Sequence, residues 1–154
     1  FWEGMNIDLS HATLNLTWSH FTDLNFRNFH VAHADFSNVT FLGNVSFLGA
    51  TFTDDASFDN ATFTDPASFW EATFLGKTSF QGATFADHAF IKATYADIPK
   101  FDGATFIGGV DMDDENLGWF AHVTFTRDHT RDGYQRLLAE WRANRDGQSS
   151  KSDT

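Results

Sequence analysis

A large side chain recurs every five or six residues through most of the chain, and this spacing constrains the fold more than any other feature. Seventeen such positions run from Phe21 to Phe106, and all are Phe except Val31 and Tyr95. Between residues 41 and 85 the spacing alternates strictly, six residues and then five. The residue two positions earlier is usually small, and at nine of the seventeen repeats it is Ala. Self-similarity of this kind is typical of architectures that stack short repeated units.

A straight helix or a straight strand cannot place these side chains together. Five residues along a helix correspond to a rotation of about 500°, so successive large side chains would point in different directions. An odd number of residues along a strand places the next large side chain on the opposite face. A chain that turns at every repeat, with four turns in a coil of 20 to 22 residues, directs every large side chain to one axis. This geometry predicts four stacked columns: Phe41, Phe63, Phe85 and Phe106; Phe47, Phe69 and Phe90; Val31, Phe52, Phe74 and Tyr95; and Phe36, Phe58, Phe80 and Phe101.

The segments "ATFTD", "ASFDN" and "ATFLG" resemble the pentapeptide-repeat proteins, in particular the Phe-rich type frequent in actinobacteria. The resemblance covers about residues 7 to 110 and implies a right-handed quadrilateral β-helix. We therefore predict an all-β fold with a C-terminal capping α-helix. Residues 1–126 form the β-helix with atypical terminal coils, 127–146 form the helix, and 147–154 form a disordered tail. Because residue 1 is Phe rather than Met, we expect a trimmed or processed piece.

An amphipathic stripe marks the predicted C-terminal helix. Its apolar residues, at helical spacing, are Tyr134, Leu137, Leu138 and Trp141. Packed on the last coil, this stripe forms a lid; packed on a second copy of the chain, it forms a homodimer contact. We favour the lid, and the dimer remains the alternative.

Catalysis and metal binding are not expected. A rod filled with Phe offers no cleft, and enzyme sites are concave. The chain has no Cys, which excludes disulfides and thiolate metal sites. The acidic run Asp111–Glu115 fails as a calcium loop, because Asn116 and His122 stand where the loop requires Gly and Glu. We predict a non-enzymatic protein without a cofactor or a metal, and we expect His88 to pack inward.

The excess of acid lies in the repetitive body. The formal net charge is -11, and residues 1–126 hold 16 Asp and Glu against four Lys and Arg. Such a body should avoid nucleic acid and anionic membranes and attract basic protein surfaces. The sequence contains no run of eighteen apolar residues, so it predicts no membrane span. We expect a cytoplasmic protein.

The predicted partner-binding residues are acidic and fall two positions after inward Phe or Tyr residues. They are Asp54, Asp65, Asp87 and Asp97. Stacked like charges destabilise the fold unless they are screened or take part in binding a partner of opposite charge. Outward Thr residues recur as well; we interpret them as cross-strand pairs and expect acids interleaved among them.

These residues predict a protein-interaction or scaffold module built on an acidic rod. The alternative comes from the resemblance, because quinolone-resistance members of the family mimic DNA and bind DNA gyrase. The chain would then bind such a topoisomerase and inhibit or protect it.

Overall fold

The computed structural model describes residues 8–15, 20–22, 24–113, 118–120 and 122–126, together with positions 136, 139 and 143. Within these residues the chain forms short strands that all pair in parallel. The strands are β1 (Asp8–Asn15), β2 (His20–Thr22), β3 (His30–Asp35), β4 (Thr40–Leu42), β5 (Val45–Ser46), β6 (Thr51–Phe52), β7 (Ala56–Ser57), β8 (Thr62–Phe63), β9 (Ala67–Ser68), β10 (Thr73–Phe74), β11 (Thr78–Ser79), β12 (Thr84–Phe85), β13 (Ala89–Phe90), β14 (Thr94–Tyr95), β15 (Thr105–Phe106), β16 (Val110–Asp111) and β17 (Thr124–Phe125).

The strands build four faces that the chain visits in a fixed order. Face I contains β2, β4, β8, β12, β15 and β17, and face II contains β5, β9, β13 and β16. Face III contains the first half of β3 with β6, β10 and β14, and face IV contains the second half of β3 with β7 and β11. Faces III and IV share one seven-stranded sheet because β1 and β3 run around the corner between them. The predicted quadrilateral β-helix is confirmed.

Each repeat from residue 34 to residue 91 buries a smaller and a larger side chain two positions apart, because residues two apart in an extended chain point the same way. Ala61 and Phe63 are buried, whereas Thr62 between them points outward and is half-buried. The ring centroids of Phe41 and Phe63 lie 4.8 Å apart, and those of Phe52 and Phe74 lie 4.7 Å apart. These distances match the separation of neighbouring strands, about 4.8 Å. Each buried Phe contributes roughly 1.5–3 kcal/mol, so the ring stacks hold the coils together.

The first, third and fourth columns stack as predicted. The first and fourth columns also extend beyond Phe106, where the sequence pattern weakens. Phe120 stacks on Phe101 with centroids 4.9 Å apart, and Phe125 stacks on Phe106 with centroids 5.5 Å apart. The strand β17 accordingly pairs with β15. The β-helix therefore continues to the last described residues of this region, at 126.

The second column differs from the prediction at its lower end. Phe47 stacks on Phe69 with centroids 5.0 Å apart, but the next inward residue is Ile91, which is 2% exposed. Phe90 pairs in register with the outward Ser68 and is only half-buried. The prediction that Phe90 lies in this column is wrong, because Ala89 rather than His88 is the small inward residue.

The prediction that His88 packs inward is wrong for the same reason. His88 occupies the corner position that Pro66 occupies one coil earlier, and its backbone N–H donates to Asp87 Oδ1 at 2.7 Å. Its ring lies beside that of Phe90, with centroids 4.6 Å apart. The step from Phe85 to the inward Ile91 thus has six residues, and the following step to Tyr95 has four.

Two kinds of corner explain the alternating spacing. The five-residue steps between faces II and III and between faces IV and I carry a left-handed residue: Asn28, Gly49 or Glu71 at the first corner, and Asn38, Asn60, Gly82 or Gly103 at the second. Gly43 is left-handed as well, but it lies in the six-residue step from Phe41 to Phe47. Gly and Asn adopt this conformation more readily than other residues. The six-residue steps turn between faces I and II and between faces III and IV. Corners of the same kind therefore lie on the same diagonal of the rod.

The C-terminal predictions lie mostly outside the described residues. This holds for the stripe of Tyr134, Leu137, Leu138 and Trp141 and for the tail 147–154. Arg136, Ala139 and Ala143 are helical and exposed. Residues 118–120 form a single turn of 3-10 helix. In the part of the chain that the structure describes, no helix has the length and apolarity needed to cross a bilayer.

Candidate interaction surfaces

The core of the rod is filled by rings, so a ligand meets only outward side chains and corners. Phe58 illustrates the filling: it is fully buried, stacks on Phe36 and Phe80, and meets the edges of Phe47 and Phe69 at 5.5 and 5.3 Å. The candidate sites are therefore the four faces and their edges.

Faces I and III are flat and carry no Asp, Glu, Lys or Arg at their described outward positions between residues 30 and 126. A row of Thr runs along each face: Thr40, Thr62, Thr84, Thr105 and Thr124 on face I, and Thr51, Thr73 and Thr94 on face III. The second row contains Thr, Ala, Leu and Ile on face I, and Thr, Ala and Leu on face III. The expectation that acids alternate with these Thr residues is wrong, because the acids occupy the corners.

The four predicted acids lie on two diagonally opposite edges. Asp65 and Asp87 occupy adjacent coils at the corner between faces I and II, since each follows a face I Phe by two residues. Asp54 and Asp97 occupy the corner between faces III and IV, where Gly76 separates them. Faces I and III lie on opposite sides of the core, so the corner between faces I and II is diagonally opposite the corner between faces III and IV. The structure therefore does not bring the four carboxylates to one surface.

The local contacts of these acids are unequal. Asp65 is half-buried, and its Oδ2 accepts hydrogen bonds from Gly43 N at 3.0 Å and Thr64 Oγ1 at 2.7 Å. It therefore joins two coils as well as carrying charge. Asp54 Oδ1 accepts a hydrogen bond from the backbone N–H of Asp55 at 2.9 Å, and Asp87 Oδ1 accepts one from the backbone N–H of His88 at 2.7 Å. Asp54, Asp87 and Asp97 are exposed.

Face IV has a shallow groove that the sequence did not predict. Its volume is about 430 Å³, and its floor contains Ser57 and Ser79. Lys77 and Ile98 lie on one side and Asp59 on the other. Asp59 Oδ1 accepts hydrogen bonds from Ser79 Oγ and from the backbone N–H of Gln81, the latter at 3.1 Å. The described residues contain no group of three or more His, Asp or Glu placed to hold a metal ion.

Face II carries an ordered aromatic and ionic network. Trp70 is 39% exposed, and its indole N–H donates to Glu71 Oε1 at 3.3 Å. The Lys92 ammonium lies 5.6 Å from the centroid of the Trp70 ring and 3.0 Å from Asp111 Oδ1. The sequence contains the signal, because Trp70 and Lys92 each directly follow an inward residue of face II. The sequence predicts that Trp70 and Lys92 lie in one outward row only when Ile91 is taken as the inward residue.

A closed stack of coils with straight outward rows defines a parallel β-solenoid, a class of repeat protein that presents extended binding surfaces. The chain belongs to the pentapeptide-repeat family: the family described as Pentapeptide repeats (9 copies) matches residues 26–73 and 69–116. The resemblance to the pentapeptide-repeat family is thereby confirmed. No curated protein and no solved structure matches the chain.

Proposed function

We propose that this chain is a protein-interaction or scaffold module built on an acidic rod, without enzymatic activity of its own. The observation that supports the proposal is the division between a core filled by stacked rings and an outer surface of straight, chemically distinct rows. A solenoid of this kind presents long, regularly spaced surfaces to a macromolecular partner.

The charge distribution favours a partner with a basic surface. Residues 1–126 hold 16 Asp and Glu against four Lys and Arg. Asp54, Asp87 and Asp97 are exposed at corners, where a partner can approach from two faces. A field of one sign accelerates the encounter with a partner of the opposite sign, and salt weakens this effect.

Chemical crosslinking in the cells that encode the protein, followed by purification of the captured partner, tests the proposal. We expect a protein partner whose association slows as salt rises. The double variant Asp54→Asn/Asp97→Asn removes two edge charges but keeps side-chain oxygen acceptors, and it should slow association. The matched control Asp59→Asn/Asp102→Asn removes the same charge from face IV, where Asp102 follows the inward Phe101 as Asp59 follows Phe58. Failure to capture any protein above the level of an unrelated acidic protein would refute the proposal.

A second candidate function is mimicry of DNA toward a topoisomerase such as gyrase. It is favoured by the two acidic edges on opposite sides of a narrow rod. A duplex carries one charge per roughly 1.7 Å, whereas carboxylates in adjacent coils are about 4.8 Å apart. The negative charges are therefore more widely spaced along the rod than along a DNA duplex. A gyrase supercoiling assay decides this candidate: inhibition that disappears in Asp65→Asn/Asp87→Asn supports it, and unchanged supercoiling excludes it.

A further inference from the structure

We propose that face II is the docking surface, with Trp70 as its anchor, for a partner protein that presents an apolar pocket rimmed by Lys or Arg. This inference rests on the proposed interaction function and names its site. The Trp70 patch consists of Leu48, Trp70, Glu71, Phe90 and Lys92.

Trp70 stands on a part of the fold that has no structural need for a large apolar side chain. The inward positions of its coil are filled by Phe69 and Phe74, both fully buried. Trp70 follows Phe69 directly and so points away from the core, leaving 39% of its surface exposed. Large outward aromatic side chains are typical of interaction hot spots, which are enriched in Trp.

The indole is held in place before any partner arrives. Glu71 accepts the hydrogen bond of its N–H at 3.3 Å, and the Lys92 ammonium lies 5.6 Å from the ring centroid. Lys92 is itself anchored by Asp111, at 3.0 Å. Because the side chain is already ordered, binding costs less conformational entropy than it would for a free Trp.

The apolar area extends beyond the indole. Leu48 directly follows Phe47 and Trp70 directly follows Phe69, and these two Phe rings stack in adjacent coils. Leu48 and Trp70 therefore share one outward row. Phe90 pairs in register with Ser68 and lies diagonally across the face from Trp70. Leu48 and Phe90 are both half-buried, whereas Trp70 is exposed, so the indole is the most accessible apolar group of the three.

The rim of the patch determines the chemistry of the partner. Exposed carboxylates flank it, with Glu71 at the corner toward face III and Asp87 at the corner toward face I. The positive charge of Lys92 is matched by Asp111. The rim is thus acidic around an apolar centre, which complements an apolar pocket surrounded by Lys or Arg. Nucleic acid and anionic membranes are disfavoured by the same charges.

The experiment uses a photo-reactive phenylalanine analogue, benzoylphenylalanine, in place of Phe90 in the full chain in its own cells, so that the probe lies in the Trp70 patch and Trp70 itself is kept. The matched control carries the analogue at Leu75, an exposed apolar residue of face III that is 54% exposed. The partner crosslinked at position 90 is then purified, and its binding kinetics are measured with the unmodified protein and with variants.

We expect Trp70→Ala to weaken binding at least about tenfold, mainly through faster dissociation, while Leu75→Ala has no effect. Trp70→Phe should fall between them, and circular dichroism should show that each variant remains folded. Asp87→Asn should slow association and reduce its dependence on salt, because rim charges act on the encounter.

Three results would overturn the inference. If the partner is captured through another face and Trp70→Ala binds it normally, the inference fails and the proposed interaction function stands. If Asp87→Asn changes neither the association rate nor its salt dependence, a basic rim on the partner is refuted. Failure to capture a partner from any face would instead refute the proposed function, and the inference with it.

Discussion

Replacing Ile91 and Phe90 separately by Ala tests which of the two neighbours lies in the core. Ile91 is 2% exposed, and truncating a core Ile to Ala costs about 2–5 kcal/mol, because a cavity adds to the lost burial. We expect about 3 kcal/mol. Phe90 points outward and is half-buried, so water fills the space that its ring leaves and no cavity forms. Full burial of a Phe is worth roughly 1.5–3 kcal/mol, and we expect a loss of about 1 kcal/mol.

Urea denaturation followed by far-ultraviolet circular dichroism measures the difference. With a dependence on urea of about 1–3 kcal/mol per molar, Ile91→Ala should lower the midpoint by about 1–3 M and Phe90→Ala by less than about 1 M. Phe69→Ala is the matched control, since Phe69 is fully buried in the same column; it should cost about 3–5 kcal/mol. A larger loss for Phe90→Ala than for Ile91→Ala would refute the register described for face II.

Three further predictions concern a glycine, a tyrosine and an aspartate. A Cβ on Gly76 would lie 2.4 Å from the carbonyl carbon of Asp54 in the preceding coil; Gly76→Ala should therefore cost about 1–3 kcal/mol, as other overpacked substitutions do, in the same denaturation assay. Burial raises the pKa of Tyr95 well above its ordinary value. The unfolded chain then loses the phenol proton first, so stability should fall as pH rises above about 10; Tyr95→Phe should abolish that part of the fall, and an unchanged pH profile would contradict the shift. Asp59→Ala leaves Ser79 Oγ and Gln81 N–H without their acceptor and should cost about 1 kcal/mol, whereas Asp59→Asn, which keeps an acceptor oxygen, should cost less.

The fold was predictable because one rule is repeated many times. A large side chain follows a small one by two residues, and only a chain that turns at each repeat buries both. The same rule applied strictly would have placed Ile91 correctly, because Ala89 precedes it by two. The Phe at position 90 concealed this, since a step of five followed by five ends at the same residue, Tyr95, as a step of six followed by four.

The surface was less predictable because outward residues are not constrained by a common core. The columns imply that Asp65 and Asp87 oppose Asp54 and Asp97, but a list of acidic positions does not show this until the corners are assigned to diagonals. The contact of Trp70 with Lys92 joins residues 22 positions apart in sequence. The groove on face IV depends on how far Lys77 and Ile98 project beyond two serines, which is a property of side-chain packing rather than of the repeat.

The two corner types give the rod an approximate twofold relation about its own axis, with a half-coil of eleven residues between positions 41 and 85 as the unit. Deleting eleven residues there would rotate the coils after the deletion by half a turn about the axis. The uncharged faces I and III would then continue into each other, and so would face II, which bears Trp70, and face IV, which bears the groove. Deleting a full coil would preserve every side and shorten the rod by one strand separation, about 4.8 Å. The length of such a protein can therefore change without altering what each side presents, provided that whole coils are gained or lost.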